Sequence, residues 1–359
     1  MPRISSLECS RCHHRVVADT APTVCPVCSE FLFVRYDMEE IKRSVKRPGG
    51  DSGAGIWRYA GVLPEFAPVS LGETPTPLLR SRQYSSLLVK DEGRNPTGSM
   101  EDRGMELAVA AAKYFGVQQL SIASQGDAAA SLAAYAATAG IGVHAFLPRN
   151  VATVDHLECV ALGAKVTLVN GLISDCEQRR REQAGDNFDI SVLKEPFRLE
   201  GMKTLGYEMV EQMGWEYPVA LICPTGLVAV AIWKAFEEME QLGWVKGQRP
   251  RLYVGGSNSD LFGMNVIEDS GGRRVDGGDG FANLLDWGKQ EGSLLSPKGA
   301  AGEGVYKALL ASGELSAGER VVLINDCSGA KHAEATARAL RLRPSLPSSL
   351  PVGGIITPQ

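Results

Sequence analysis

The sequence predicts an α/β protein of two doubly wound parallel-sheet domains, preceded by a small metal-binding ribbon. Three observations carry this. Short apolar runs alternate with stretches of helical periodicity from Leu87 to Ile324, the pattern of parallel strands with helices on both faces. The chain has 359 residues with 44% apolar content, enough for two buried cores and an accessory module. Two Cys-x-x-Cys knuckles stand a dozen residues apart near the N-terminus.

The knuckles come first. Cys9, Cys12, Cys25 and Cys28 can close a tetrahedron of thiolates around Zn²⁺, each tight turn supplying two ligands. Two disulfides, an iron site or a ribbon that has lost its metal are the alternatives for the same four thiols. Four cysteines leave no open coordination position, so a zinc ion here is structural. His13 and His14 follow the first knuckle and read as surface residues. The expected organisation is a zinc ribbon over 1–36, an N-terminal α/β domain over 37–195, a C-terminal α/β domain over 196–343 and a flexible tail over 344–359, where proline and serine dominate.

Asp37 to Gly55 is polar, contains Pro48-Gly49-Gly50, and reads as a linker or connecting helix. Leu87-Leu88-Val89 is a short buried strand, and Asn95-Pro96-Thr97-Gly98 is turn chemistry. Ser99 is a good N-cap for the helix that follows, with Asp102 completing a capping-box pattern. Met105, Ala108, Val109, Ala112 and Phe115 recur at helical spacing, and Gly116 stops the helix. A helix N-terminus after such a turn presents backbone N–H groups to a ligand. Strands are then expected at 119–122, 143–147, 165–169, 220–223, 251–255 and 320–324. Helices are expected from 127 to 139, over 151–162 and over 304–315, with a mobile loop from Asp269 to Gly280.

The run Lys90-Asp91-Glu92-Gly93-Arg94-Asn95-Pro96-Thr97-Gly98-Ser99-Met100-Glu101-Asp102-Arg103-Gly104 resembles the active-site segment of threonine synthase, in the fold-type II group of pyridoxal-phosphate (PLP) enzymes. The family pattern there is K-D-E-G-x-N-P-T-G-S-F-K-D-R-G. Trp57-Arg58-Tyr59, Ser70-Leu71-Gly72-Glu73, Glu200-Gly201-Met202-Lys203-Thr204 and the N-terminal ribbon resemble the same family. The resemblance runs to about Arg343 and implies the fold-type II architecture.

It breaks where the family holds its cofactor. Glu101 stands at the Schiff-base lysine and cannot form an imine. Asp127 in Ser124-Gln125-Gly126-Asp127 stands at the asparagine that contacts the cofactor ring hydroxyl. Asp326 stands near the ring-nitrogen position, and Cys327 replaces a glycine after it. The phosphate loop keeps only Gly226 and is about two residues shorter. Lys90, Lys203 and Lys331 match scaffold or surface positions of the family. PLP is therefore expected not to be bound.

Glu101, Asp127 and Asp326 are then the candidate catalytic carboxylates, since clustered acids raise one another's pKa and can do acid–base chemistry. Helix-end and capping roles are the bland alternatives. Thr97, Ser99, Asp102, Ser124 and Gly126 are the candidate substrate contacts. Three functions follow from the resemblance: PLP-independent elimination, addition or cyclisation on an amino-acid-like substrate; a silent pseudoenzyme; or a PLP lyase using an unrecognised amine. A homodimer or pairing with an active paralogue is the expected assembly. The net charge of −5 gives no reason to expect nucleic acid. There is no signal-peptide pattern and no apolar run of membrane-spanning length, so a cytoplasmic protein without membrane contact is expected.

Overall fold

The computed structural model describes residues 4–49, 53–255 and 262–341. The tail expected from residue 344 lies outside them. Three antiparallel strands, β1 (Ile4–Cys9), β2 (Arg15–Val16) and β3 (Leu32–Tyr36), form the ribbon in the order β2-β1-β3. Helix α1 (Met38–Ser44) follows, its first turn capped by the Asp37 carboxylate, which accepts the Glu40 N–H at 3.0 Å. The connecting segment thus contains the helix that its polarity allowed.

Next come β4 (Leu78–Arg80), β5 (Leu87–Asp91) and α2 (Glu101–Tyr114). A smaller unit then runs β6 (Gln119–Ala123), α3 (Asp127–Ala139), β7 (Gly142–Pro148), α4 (Thr153–Ala161), β8 (Lys165–Val169), α5 (Ile173–Gln183) and β9 (Phe188–Asp189). Its four strands are all parallel, in the order β8-β7-β6-β9. The chain continues through α6 (Phe197–Met202), α7 (Thr204–Gln212), β10 (Ala220–Cys223), α8 (Gly226–Gln241), β11 (Arg251–Gly255), α9 (Met264–Asp269) and β12 (Arg273–Val275). It closes with α10 (Gly280–Glu291), α11 (Pro297–Ala311), β13 (Val321–Asn325) and α12 (Ala333–Ala339).

The large sheet has the order β12-β11-β10-β13-β5-β4, with only β4 antiparallel. Sheet membership therefore interleaves across residue 196, because β5 pairs with β13 and not with the smaller sheet. Strand β13 shows why the sheet is wound on both faces. Val321 and Leu323 pack with Trp287 and Tyr306 under α10 and α11, while Val322 and Ile324 pack with Tyr207, Ile232 and Phe236 under α7 and α8. Alternate side chains point to opposite faces, so a strand apolar at every position needs helices on both.

Three local expectations are corrected. The stretch 269–280 holds strand β12, since Arg273–Val275 pairs with Tyr253–Gly255 in parallel. The helix expected at 304 begins at Pro297, capped by Ser296, which accepts the Gly299 N–H at 2.8 Å. The capping box at Ser99 and Asp102 does not form. Helix α2 starts at Glu101 with Met100 as its N-cap, and Asp102 reaches back to Thr97 instead.

Two buried charge networks pin these layers. Lys90 and Arg103 face Glu92 and Glu208, with Lys90 Nζ 2.5 Å from Glu208 and Arg103 Nε 2.6 Å from Glu92. Lys203 and Lys234 face Glu200 and Glu238, with contacts of 2.7 Å and 3.1 Å. The ribbon joins the second network: the Tyr36 hydroxyl donates to Glu200 at 2.7 Å, and the Tyr36 ring lies 4.6 Å from the Lys203 ammonium. Among the described residues, no helix is long and apolar enough to cross a membrane.

Candidate functional site

A cavity of about 730 Å³ opens between the two sheets, within the range of small-ligand sites. The smaller unit contributes Asp127 and the β7–α4 segment with Arg149 and Asp155. The larger contributes Lys298, Asp326, Cys327, Lys331 and His332. The placement follows from parallel topology, because the loops after β6, β7 and β13 all emerge at the carboxyl ends of their strands.

Two of the three expected carboxylates meet there. Asp127 opens α3 and accepts from Ser99 Oγ at 3.2 Å. Asp326 follows β13, accepts from Ser296 Oγ, and lies 3.7 Å from the Lys298 ammonium. Glu101 behaves differently. It is buried, and its Oε2 accepts from Arg198 Nε at 3.0 Å and Nη2 at 2.7 Å. Burial raises its pKa and the Arg198 charge opposes that rise. The two Arg198 N–H groups fix the orientation of this side chain.

The expected substrate contacts of the glycine turn are engaged elsewhere. Asp102 accepts the Thr97 N–H at 2.7 Å, the Thr97 hydroxyl at 2.5 Å and the Ser131 hydroxyl at 2.6 Å. Burial still pushes its pKa up to about 6. Ser99 is fully buried and bridges to Cys327 across the cleft wall. Ser124 accepts the Gly126 N–H at 3.0 Å. Gly126 holds φ +146° with Asp155 so close that a Cβ would stand 2.4 Å from its Oδ2. This loop therefore admits no side chain at 126.

The candidate site residues named from the sequence do not include Lys298, His332 or Arg198, and Cys327 stands there only as replacing a glycine. Lys298 sits in the first turn of α11, its side chain 60% exposed on the cavity wall. The Asp326 carboxylate beside it holds its pKa above the usual lysine range, and Asp127 and Glu101 add to this. His332 Nε2 lies 3.3 Å from Cys327 Sγ. Burial lowers the His332 pKa, which favours the neutral imidazole, while Asp326 and Asp127 oppose the shift. Burial pushes the Cys327 thiol up, and Asp326 and Asp127 push it further, so it is a thiol and not a thiolate. Arg198 lies off the cavity, buried against Glu101. The Ser296-Pro297 pair, an N-cap before a first-turn proline, was the available signal for Lys298. The Arg198–Glu101 pair spans 97 residues and left no local trace.

In the ribbon, the four Sγ atoms all lie within 4.8 Å of one another, with separations of 3.4 Å for Cys9–Cys28 and 3.7 Å for Cys12–Cys25. Tetrahedral Zn–S bonds of about 2.3 Å place sulfurs about 3.8 Å apart, so the thiols fit the ion. The Arg11 and Cys12 N–H groups point at Cys9 Sγ, both at 3.4 Å. His13 and His14 are exposed, outside this group.

A family profile described as "Pyridoxal-phosphate dependent enzyme" matches residues 69–326. The threonine synthase of Methanocaldococcus jannaschii is 31% identical over 383 residues, covering 92% of this chain and 94% of that protein. This chain belongs to the pyridoxal-phosphate dependent enzyme family. Its relatives there include the threonine synthase of Methanosarcina acetivorans, 34% identical over 249 residues that cover 66% of this chain and 61% of that protein. The solved diaminopropionate ammonia lyase of Escherichia coli superimposes with a TM-score of 0.62 at 16% identity, covering 76% of this chain and 88% of that one. A fungal L-serine ammonia-lyase from Rhizomucor miehei gives 0.61 at 15%, covering 76% and 99%. At such identity the likeness shows the shared α/β fold with its parallel sheets.

The residues present do not fit the family's cofactor held in the family's way. Position 101, which the resemblance aligns with the family's Schiff-base lysine, holds a carboxyl group tied to Arg198. At the first turn of α8, Thr225 Oγ1 accepts the Val228 N–H at 3.3 Å, and Val228 and Val230 are buried. The chain at Gly263 closes onto this turn: a Cβ there would stand 2.6 Å from Val230 Cγ2 and 2.8 Å from the Gly226 carbonyl. Among the described residues, a pocket of about 60 Å³ lies beside Cys223, Pro224, Gly255 and Lys298. Lys90 and Lys203 are fully buried in their networks. Among the described residues, Lys298 and Lys331 are the lysines on the main cavity, and Lys331 is paired with Asp155 at 3.0 Å and Glu158 at 2.6 Å.

Proposed function

We propose that this chain binds a small amino-acid-like zwitterion in the interdomain cavity and serves acid–base chemistry on it, such as elimination, addition or cyclisation, without an imine at residue 101. The observation that carries this reading is the juxtaposition of Asp127, Asp326 and Lys298 on one cavity. The two carboxylates suit a ligand ammonium, and the Lys298 ammonium suits its carboxylate. Two groups on that wall could exchange a proton with a ligand: the His332 imidazole, whose pKa burial lowers, and the Asp155 carboxyl, which burial pushes up to about 6. Glu101 is a positioning residue in this reading, since Arg198 holds its carboxylate. The ribbon carries one structural zinc ion, as its four thiols support.

The family's ordinary PLP chemistry is the second reading. Family membership favours it, and so does the presence of an amine, Lys298, on the cavity wall. Incubation with PLP, borohydride reduction and peptide mapping separate the two. The first reading expects no stoichiometric adduct, together with calorimetric binding of L-threonine or L-serine that weakens at least about tenfold in Lys298→Gln. A reduced adduct on Lys298 would establish the second. Without an adduct, unchanged amino-acid binding in Lys298→Gln would remove the first.

A further inference from the structure

A second cavity, of about 460 Å³, lies behind the cleft at the β4 edge of the large sheet. It shares a wall with the cleft. Along the loop after β13, Cys327, Lys331 and His332 line the front cavity, whereas Ser328 and Ala330 line the rear one. That loop is fastened to the glycine turn. Ser328 donates its N–H to the Gly98 carbonyl at 2.8 Å, and a Cβ on Gly93 would stand 2.7 Å from the Ser328 nitrogen.

Three guanidinium groups line the rear cavity: Arg80, Arg82 and Arg94. All three are exposed residues. Arg80 donates to the Ser85 carbonyl at 3.1 Å and Arg94 to Asp91 at 3.1 Å, while the Arg82 side chain has no hydrogen bond or ion pair among the described residues. An arginine offers five N–H donors. The two acids on this wall are occupied. Glu291 accepts from the Ser81 hydroxyl at 2.6 Å and from the Arg82 and Gln83 N–H groups at 2.8 Å and 3.1 Å. Asp91 accepts from the Gly93 N–H at 3.2 Å and the Asn325 side chain at 2.8 Å. The acids on this wall are thus engaged by the protein's own donors, while three guanidinium groups line the same cavity. Beside them Trp287, Leu79 and Leu294 supply an apolar wall.

We infer that this rear cavity is a second ligand site, and that it takes a phosphate monoester carrying a flat apolar body. A dianion answers three guanidiniums lining one cavity better than a carboxylate does, because forked N–H pairs match phosphate oxygens and the charge is doubled. The apolar wall holds the body of the ester. No role of the front cleft is required for this.

Calorimetric titration of the full-length chain with phenyl phosphate, at low and at high salt, tests the site. The expected result is saturable binding at one equivalent, weakened by salt, and weaker by at least about tenfold in Arg82→Gln/Arg94→Gln. Lys298→Gln should bind as the parent does, and benzoate should bind more weakly than phenyl phosphate. Arg82→Gln alone, at an exposed side chain, keeps the test available if the double variant fails to fold. Absence of saturable binding overturns the proposal, as does binding that survives the arginine changes. Binding lost in Lys298→Gln would place the phosphate in the front cleft, and equal affinity for benzoate would remove the phosphate preference; either result sinks it.

Discussion

Around Lys90 and around Lys298 the protein treats an ammonium group in opposite ways. Lys90 is wholly buried, 2.5 Å from Glu208, and donates also to the Thr76 carbonyl at 2.8 Å and Gln212 at 2.9 Å. Its network holds two cations and two anions, all in contact. Lys298 stands 3.7 Å from Asp326 with most of its side chain open to a cavity. Charges that close on one another fix architecture, whereas charges left facing a space are placed for a ligand. Sequence resemblance marks the first kind well here, because the motif around Lys90 matches the family almost throughout.

The largest effect is expected where closure is most complete. Lys90→Met leaves Glu92 and Glu208 facing Arg103 alone, and should cost about 3–5 kcal/mol in urea unfolding. A cost below about 1 kcal/mol would mean that this network is not what pins the layers.

Glu106 sharpens the contrast, being a buried acid whose carboxylate oxygens have no hydrogen-bond partner. Burial pushes its pKa up to about 9, Glu73 adds to the rise, and Arg103 opposes it. The folded protein thus keeps this proton up to about pH 9, whereas the unfolded chain releases it near 4.5. The folded state binds more protons between those values, so stability falls as pH rises through that window. Its contribution is complete below the unfolded pKa. Glu106→Gln does not titrate, and thermal melts across the window should show a flatter profile that exceeds the parent near its upper end. Parallel profiles for parent and variant would contradict a proton held at Glu106.

The smallest stability effect is expected at the open end of the comparison. Lys298→Gln should change unfolding by no more than about 0.5 kcal/mol, as for a surface substitution, while ligand affinity drops. A large destabilisation would class Lys298 with Lys90.

Much of this fold was readable because its signals are local. The strand at 220–223 and the helix at 127–139 announce themselves by composition, and the knuckle spacing brings four thiols together. The strand at Arg273–Val275 was not readable, since two arginines in three residues earn strand status only by pairing beside β11. The site was legible in part. Asp127 and Asp326 follow strands whose motifs fix their position, and both reach the cavity. Glu101 was correctly placed at the head of its helix, but its environment depends on Arg198, which arrives on a different helix. A pairing across 97 residues has no signature in either neighbourhood.

Small metal ribbons are often pictured as beads that can be threaded onto a chain or dropped from it. This one is stitched in. Its last residue in strand, Tyr36, supplies both a hydroxyl to Glu200 and an aromatic face to Lys203 and Lys234. A descendant that lost the ribbon would leave those two lysines without their roof. The ribbon's inheritance is therefore bound to that of a charge cage more than 160 residues away in the chain, and the two should be gained, altered or discarded together.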